Sequence, residues 1–175
     1  MKREGRLQIY TGNGKGKTTA MLGLAVRAAC SGMRVYIGQF LKGRDYSELL
    51  ISERFPEITI EQFGTPDFLL PGRKPSPEDT RLAQKGLAAI TGAMLSGDYD
   101  LVAGDEICVS VHLGLLSEEL VLELASARPD SVELVLTGRY ASRRMIEAAD
   151  LVTEMLEVKH YYNVEKLQAR RGIEN

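Results

Sequence analysis

A glycine-rich stretch near the start of the chain constrains the fold more than any other feature. It follows an alternating apolar run that includes Leu7 and Ile9, and an Ala-rich apolar run over 20–29 comes after it. The stretch reads Gly12-Asn13-Gly14-Lys15-Gly16-Lys17-Thr18-Thr19. Strand, glycine-rich turn and helix in this order are typical of a phosphate-binding loop, in which backbone N–H groups converge on an anion at a helix N-terminus. Lys17 would then reach phosphate oxygens, and the Thr18 hydroxyl could ligate Mg²⁺.

The loop is one residue shorter than the usual pattern. Four residues normally separate the first glycine from the Gly-Lys pair, whereas Gly12 and Gly16 enclose three. A surface turn that caps a helix is the alternative interpretation, but it does not explain why two lysines crowd among three glycines. The shortened loop indicates that a bound triphosphate lies differently from one in an ordinary ATPase.

Composition narrows the class of protein. A chain of 175 residues with 44% hydrophobic and 26% charged residues is typical of one globular domain, so we expect 1–175 to form a single nucleotide-binding domain. The net charge is −2 and no basic block is long enough for a nucleic-acid footprint. No apolar run approaches the ~20 residues of a membrane span, and the N-terminus lacks a signal-peptide core. Cys30 and Cys108 have no Cys-x-x-Cys partner, which indicates a reduced, cytoplasmic setting with both thiols buried.

Short β-like runs alternate with helical runs along the chain. Strands are predicted over 6–11, 34–40, 58–63, 100–105, 132–138 and 151–158. Helices are predicted over 17–31, 46–54, 77–96, 117–127 and 142–148. Such alternation predicts an α/β fold with a mainly parallel β-sheet and helices on both faces. Together with the glycine-rich loop, it leads us to expect a RecA-like P-loop NTPase fold.

The helix predicted from Pro77 is the best marked, because Ser76 can cap it and Pro77 suits its first position. Its predicted core residues are Leu82, Leu87, Ile90, Met94 and Leu95. The preceding loop, 64–76, carries the apolar residues Phe68, Leu69 and Leu70. These three side chains could form a lid or the wall of a binding site, or they could pack against the core. The sequence pattern does not distinguish the two alternatives.

Two adjacent carboxylates, Asp105 and Glu106, follow a buried apolar run. In P-loop proteins an acidic residue at the end of a parallel strand serves Mg²⁺ directly or through water. Neighbouring strand residues point to opposite faces, so we expect one carboxylate on the metal and the other in the hydrogen-bonding network around it. A solvated pair at a strand end is the alternative.

Basic residues mark the same edge of the predicted sheet. Arg139 follows the strand 132–138 and could contact an anion, or it could simply lie on the surface. The segment 42–44, Lys-Gly-Arg, occupies the corresponding rim after another strand. Arg27 could approach the phosphates from the first helix, or face solvent. The sequence shows no zinc site, Ser/His/Asp triad or Cys nucleophile.

Over nearly its whole length, the chain resembles the P-loop type of ATP:corrinoid adenosyltransferase. The resemblance is carried by Gly12 to Thr19, Arg27-Ala28, Gln39-Phe40-Leu41-Lys42-Gly43, Asp105-Glu106, Leu136-Thr137-Gly138-Arg139, the segment 149–155, Lys159-His160 and Ala169-Arg170-Arg171-Gly172-Ile173-Glu174. The short loop and the C-terminal block are its most specific parts, because generic ATPases lack them.

The resemblance implies transfer of the 5′-deoxyadenosyl group of ATP to the Co(I) of a reduced corrinoid, with release of tripolyphosphate. It implies that Gly12 to Thr19 cradle the triphosphate, that Asn13 lies near the ribose and that Arg27 touches phosphate. It also implies that Thr18 and Glu106 serve Mg²⁺, and Asp105 is the third candidate metal residue. Lys17 and Glu106 are then the catalytic candidates. A reductase that supplies Co(I) and a homodimer are also implied.

The chain departs from the family pattern at three places. Larger members have an N-terminal helical extension, whereas a strand is predicted here from residue 6. They carry a Phe-x-Trp pair in the loop before the long helix; this chain has no tryptophan, so Phe68 is our candidate for expelling the lower axial ligand of cobalt. Lys166 stands where a glycine is expected.

A RecA-like ATPase or regulatory nucleotide-binding module is the alternative function, and a small-molecule kinase is a third.

Overall fold

The computed structural model of the chain describes residues 4–66 and 74–174, so Phe68 lies outside the described residues. Six parallel strands form one sheet in the order β3-β2-β4-β5-β1-β6. The strands are β1 (Leu7–Thr11), β2 (Val35–Phe40), β3 (Ile58–Phe63), β4 (Leu101–Asp105), β5 (Glu133–Thr137) and β6 (Leu151–Glu154). The predicted α/β fold with a parallel sheet is confirmed, and only β6 ends well before its predicted limit.

Seven α-helices connect or follow these strands in the described parts of the chain. They are α1 (Lys17–Cys30), α2 (Ile51–Arg54), α3 (Pro77–Leu95), α4 (Ile107–His112), α5 (Glu118–Ser126), α6 (Arg143–Ala148) and α7 (Tyr161–Glu165). The helix predicted over 46–54 is instead a 3₁₀ turn, Ser47–Leu50, followed by the short α2. The sequence pattern did not predict α4 or α7, which are only six and five residues long.

Helices cover both faces of the sheet, and β2 shows how. Val35 and Ile37 pack with α1 in one apolar cluster, whereas Tyr36 and Phe40 pack with α3 in the other. All six residues of β2 are buried, because alternate side chains enter two different cores. β5 behaves in the same way, because Leu134 and Leu136 belong to one cluster and Val135 to the other.

The start of α3 is fixed by a capping box. The Asp79 N–H donates to Ser76 Oγ at 3.2 Å, and the Ser76 N–H donates to Asp79 Oδ2 at 2.8 Å. Ile90 and Met94 are buried as predicted, but Leu95 is 55% exposed because it ends the helix outside the buried stripe.

The two cysteines differ in environment. Cys108 is buried and burial raises its pKa to about 12, as expected for an inert core thiol. Cys30 is exposed, so the prediction that both are buried is wrong for it. It ends α1 outside the stripe of Met21, Ala25 and Ala29 that faces the sheet.

Among the described helices, none has the length and apolarity needed to cross a membrane.

Candidate active site

The candidate site lies where the strands end. Because the sheet is parallel, the carboxyl ends of its strands meet at one edge. The glycine-rich loop follows β1, Asp105 ends β4 and Thr137 ends β5. β5 lies between β1 and β4 in the sheet, so its end bridges the loop and the acidic residue.

Two glycines give the loop its shape. Gly12 and Gly16 have φ of 92° and 119°, in the left-handed region that favours glycine. A Cβ on Gly12 would lie 2.4 Å from the Met155 carbonyl oxygen, and the Gly14 N–H donates to that same oxygen at 2.7 Å. The chain that leaves β6 therefore packs against the loop, which explains why small residues are required there.

Lys17 is buried within this loop. Its Nζ donates to the carbonyl oxygens of Gly12 at 2.8 Å and Gly14 at 2.7 Å. Burial lowers the pKa of Lys17, and the nearby Glu106 carboxylate opposes that shift. The ammonium thus lies inside the curve of the loop.

Asp105 is the centre of a buried polar network. Its Oδ1 accepts hydrogen bonds from the hydroxyls of Thr18 at 2.9 Å and Thr137 at 2.6 Å. Its Oδ2 accepts from Lys42 Nζ at 2.9 Å and Gln39 Nε2 at 3.3 Å. The network joins the loop, β2 and β5 to one fully buried carboxylate.

Glu106 has a different environment from its neighbour. β4 has ended, and Glu106 has a left-handed φ of 61° while its N–H donates to Thr137 Oγ1 at 3.0 Å. In the described parts of the chain no group donates a hydrogen bond to its carboxylate or forms an ion pair with it. Burial, and then the charge of Asp105, raise the pKa of Glu106. A carboxylate in this situation is stabilised by a cation.

A cavity of about 240 Å³ brings these groups together. Its lining comprises Gly14, Lys15, Gly16, Lys17, Thr18, Thr19, Glu106, Arg139, His160, Ile173 and Glu174. The structure therefore places Arg139, whose role the sequence left open, at the wall of the same cavity as the loop. Gly12, Asn13 and Asp105 adjoin it without lining it.

Arg27 lies elsewhere. It occupies the last turn of α1, ten residues beyond Lys17, which is about 15 Å along a helix with a rise of 1.5 Å per residue. It is exposed and does not line the cavity. Within one chain the helix carries Arg27 away from the loop, and its contact with phosphate stays a prediction.

A second cavity, of about 380 Å³, adjoins the first through Thr18, Thr19 and Glu106. Its far wall is formed by Lys42, Tyr46 and Glu48 and other residues of the segment after β2. Two cavities that share a wall beside one loop can hold two reactants in contact.

The C-terminal segment covers both cavities. Ile173 and Glu174 line each of them, and Lys15 Nζ donates to the Ile173 carbonyl oxygen at 3.3 Å. Arg170 pairs with Glu174 at 3.0 Å, which fixes the fold of this segment. Sequence reasoning singled out this block only by resemblance, since nothing in its pattern shows where it packs.

Sequence reasoning also missed the contacts of Lys42 and Thr137. Their places after β2 and at the end of β5 could have indicated them, because those strands flank β4.

Within residues 4–66 and 74–174, no group of three or more His, Cys, Asp or Glu residues is arranged to hold a metal ion. A cation here would need oxygen ligands from Thr18 and from a bound phosphate in addition to a carboxylate.

Comparisons with known proteins agree with the geometry. Residues 3–175 match the family model described as ATP:corrinoid adenosyltransferase BtuR/CobO/CobP. A corrinoid adenosyltransferase of Pseudomonas aeruginosa is 34% identical over 97% of this chain and 83% of its own length. The corrinoid adenosyltransferase of Escherichia coli K12 is 31% identical over 97% of this chain and 85% of its own. The protein from Salmonella typhimurium, corrinoid adenosyltransferase CobA, is 30% identical over 99% and 87%.

Proposed function

The chain belongs to the ATP:corrinoid adenosyltransferase family, whose members carry out ATP-dependent adenosylation of corrinoids, and we propose how its two cavities divide the reaction. The triphosphate of ATP lies in the first cavity, against the glycine-rich loop. The corrinoid approaches from the second cavity. The observation that supports this most is the convergence of Lys17, Thr18, Glu106 and Arg139 on one cavity whose wall is shared with another.

The reaction places few chemical demands on side chains. The electron pair of Co(I) forms a bond to the ribose C5′, the C5′–O bond breaks, and tripolyphosphate leaves with that bonding pair. The nucleophile belongs to the substrate, so no protein base is needed. Holding C5′ in line with cobalt can supply about 7–11 kcal/mol of the barrier.

The leaving group gains charge as the C5′–O bond breaks, and the loop stabilises that charge. Lys17 and the backbone N–H groups between Gly12 and Thr19 face the triphosphate, with Arg139 across the cavity. Asn13 is exposed in the middle of the loop, and in the proposed complex it would lie near the ribose. These groups are fixed before the reaction, so little reorganisation is required.

The residues around the first cavity fit a Mg²⁺ ion. Glu106 is a partly buried carboxylate whose pKa is raised by burial and by the charge of Asp105, and Thr18 lines the same cavity. Thr18 and Glu106 would hold the ion, with Asp105 hydrogen-bonded behind Thr18 rather than on the metal. When bound, Mg²⁺ would neutralise part of the phosphate charge.

The partners follow from family membership together with the surface. A reductase would supply Co(I). A homodimer is the proposed assembly, and the four exposed residues of β6 at the edge of the sheet offer backbone groups for pairing. The cytoplasmic setting is supported by the two free cysteines.

One assay tests the proposed function. The protein is supplied with ATP, Mg²⁺ and a chemically reduced corrinoid under anaerobic conditions. We expect a light-sensitive cobalt–carbon product by absorbance and an equimolar amount of tripolyphosphate. Orthophosphate in place of tripolyphosphate would support the RecA-like ATPase alternative, which the family match does not favour. Folded protein that binds ATP but forms no adenosylated corrinoid would overturn the proposal.

A further inference from the structure

Lys42 connects the segment after β2 with the acidic residue of the site. Leu41 has a left-handed φ of 60° directly after β2, and Lys42 follows it. Its Nζ lies 2.9 Å from Asp105 Oδ2 and 3.1 Å from Glu48 Oε1. The exposed fractions of the side chains are 14% for Lys42, 12% for Glu48 and 0% for Asp105, so these charges interact with little screening by water.

The contacts of Asp105 use its full capacity as an acceptor. A carboxylate offers about four lone-pair sites, and Asp105 receives four donors: Thr18, Thr137, Lys42 and Gln39. A carboxylate in this state binds a cation only if it gives up one of these donors. Glu106, the next residue, has no such donors to lose among the residues that the structure describes.

Lys42 is also a connection between the two cavities. It lines the second cavity with Tyr46 and Glu48, and its ammonium lies 5.2 Å from the centre of the Tyr46 ring. Through Asp105 it reaches the Thr18 hydroxyl, which lines the first cavity. A change at Lys42 therefore acts on the phosphate side through Asp105.

We propose that Lys42, itself held by Glu48, is a positioning residue that keeps Asp105 as the acceptor for the Thr18 hydroxyl and leaves Glu106 as the carboxylate for Mg–ATP. The inference rests on the proposed function, because it assumes that ATP and Mg²⁺ bind beside the loop. In this role Lys42 neither contacts phosphate nor transfers a proton.

The test measures ATP binding rather than turnover. The dissociation constant of ATP is determined by calorimetry with saturating Mg²⁺ and with excess EDTA, and the ratio of the two is the metal-dependent gain. In Lys42→Met we expect this gain to fall by about tenfold, as is usual when a partner behind a metal ligand is removed. ATP affinity in EDTA should stay close to that of the unmodified protein.

The exposed residue Lys85 of α3 provides the matched control, because it lines neither cavity. Lys85→Met removes the same charge and should leave both constants unchanged. Asp105→Asn provides the second comparison. If Lys42 acts through Asp105, adding Lys42→Met to Asp105→Asn lowers the gain no further. Additive losses in the double variant would overturn the inference.

The other possible roles of Lys42 give different results. A direct phosphate contact would weaken ATP binding equally with and without Mg²⁺. A role in folding alone would lower the midpoint of thermal unfolding and leave the gain unchanged. Either result contradicts the inference. If Lys42→Met does not fold, Glu48→Gln, which retains the Lys42–Asp105 pair, should still reduce the gain by a smaller factor, and an unchanged gain there would overturn the inference.

If the unmodified protein shows a metal-dependent gain but forms no adenosylated corrinoid, the proposed function fails and the inference about Lys42 is still decided by the binding data. If it forms the product while Lys42→Met keeps the full gain, only the inference fails.

Discussion

The Lys17 ammonium lies inside the glycine-rich loop, where the Gly12 and Gly14 carbonyl oxygens accept its hydrogen bonds. Phosphate oxygens bound in the loop would draw the same ammonium toward the departing charge. Lys17→Ala should therefore reduce tripolyphosphate release by at least about 10²-fold, the usual loss when one donor to a developing oxyanion is removed. The measurement is chromatography of the phosphate products after a fixed time with reduced corrinoid. Lys85→Ala serves as the charge control, and release that persists at the unmodified rate in Lys17→Ala would contradict this role.

Single residues also show the limit of sequence reasoning about the acidic pair. The strand pattern predicted that Asp105 and Glu106 have different roles but did not assign the metal to either of them, and only the family resemblance implied Glu106. The structure separates them by their surroundings, since Asp105 is surrounded by donors whereas Glu106 is not. Both roles remain predictions until metal binding is measured.

Among the helices, α3 contains two glycines that give opposite predictions. A Cβ on Gly86 would lie 2.8 Å from Phe63 Cγ and 2.9 Å from Phe40 Cε1, whereas a Cβ on Gly92 meets nothing within 4 Å. Gly86→Ala should destabilise the protein by about 1–3 kcal/mol through overpacking. Gly92→Ala should stabilise it by roughly 0.5–1 kcal/mol, because alanine loses less backbone entropy in a helix.

Urea unfolding followed by circular dichroism measures both changes in the free energy of unfolding. Each variant is the control for the other, since both make the same substitution in one helix. Equal effects of the two substitutions would show that α3 does not pack on Phe40 and Phe63 as the structure has it.

Across the chain, ligand binding and folding are linked through the loop. The loop is joined to β1 and α1 directly, to β4 through Thr18 and Asp105, and to the chain after β6 through Gly14 and Met155. ATP with Mg²⁺ at 100 times its dissociation constant should therefore stabilise the native protein by about 2.7 kcal/mol. For a chain of this size that corresponds to a rise of about 5–10 °C in the midpoint of thermal unfolding.

Calorimetric or fluorescence scans with and without ATP and Mg²⁺ provide the measurement. The rise should shrink in EDTA and in Lys17→Ala, while Lys85→Ala should behave as the unmodified protein does. A midpoint that does not respond to ATP in any of these proteins would argue against a nucleotide site at the loop.

The local sequence pattern was sufficient to predict most of the strands and helices of the fold. Short apolar runs predicted every strand of the sheet, and the Ser76–Pro77 signal predicted the start of α3, because hydrophobic patterning and capping are short-range properties. The loop beginning at Gly12 predicted a phosphate site for the same reason. The short helices α4 and α7 were missed, since a helix of one or two turns has too few residues to show a period.

Contacts between distant segments required the folded chain. Lys42 lies 63 residues from Asp105, and Lys15 lies 158 residues from Ile173, so no local pattern relates them. The sequence left open whether Arg27 approaches the phosphates or faces solvent, and only the fold shows that it is exposed in the last turn of α1. The sequence was sufficient to identify the glycine-rich loop and to show that it is one residue shorter than the usual pattern, because both features are local. Which groups surround that loop follows from the order of the strands, which only packing fixes.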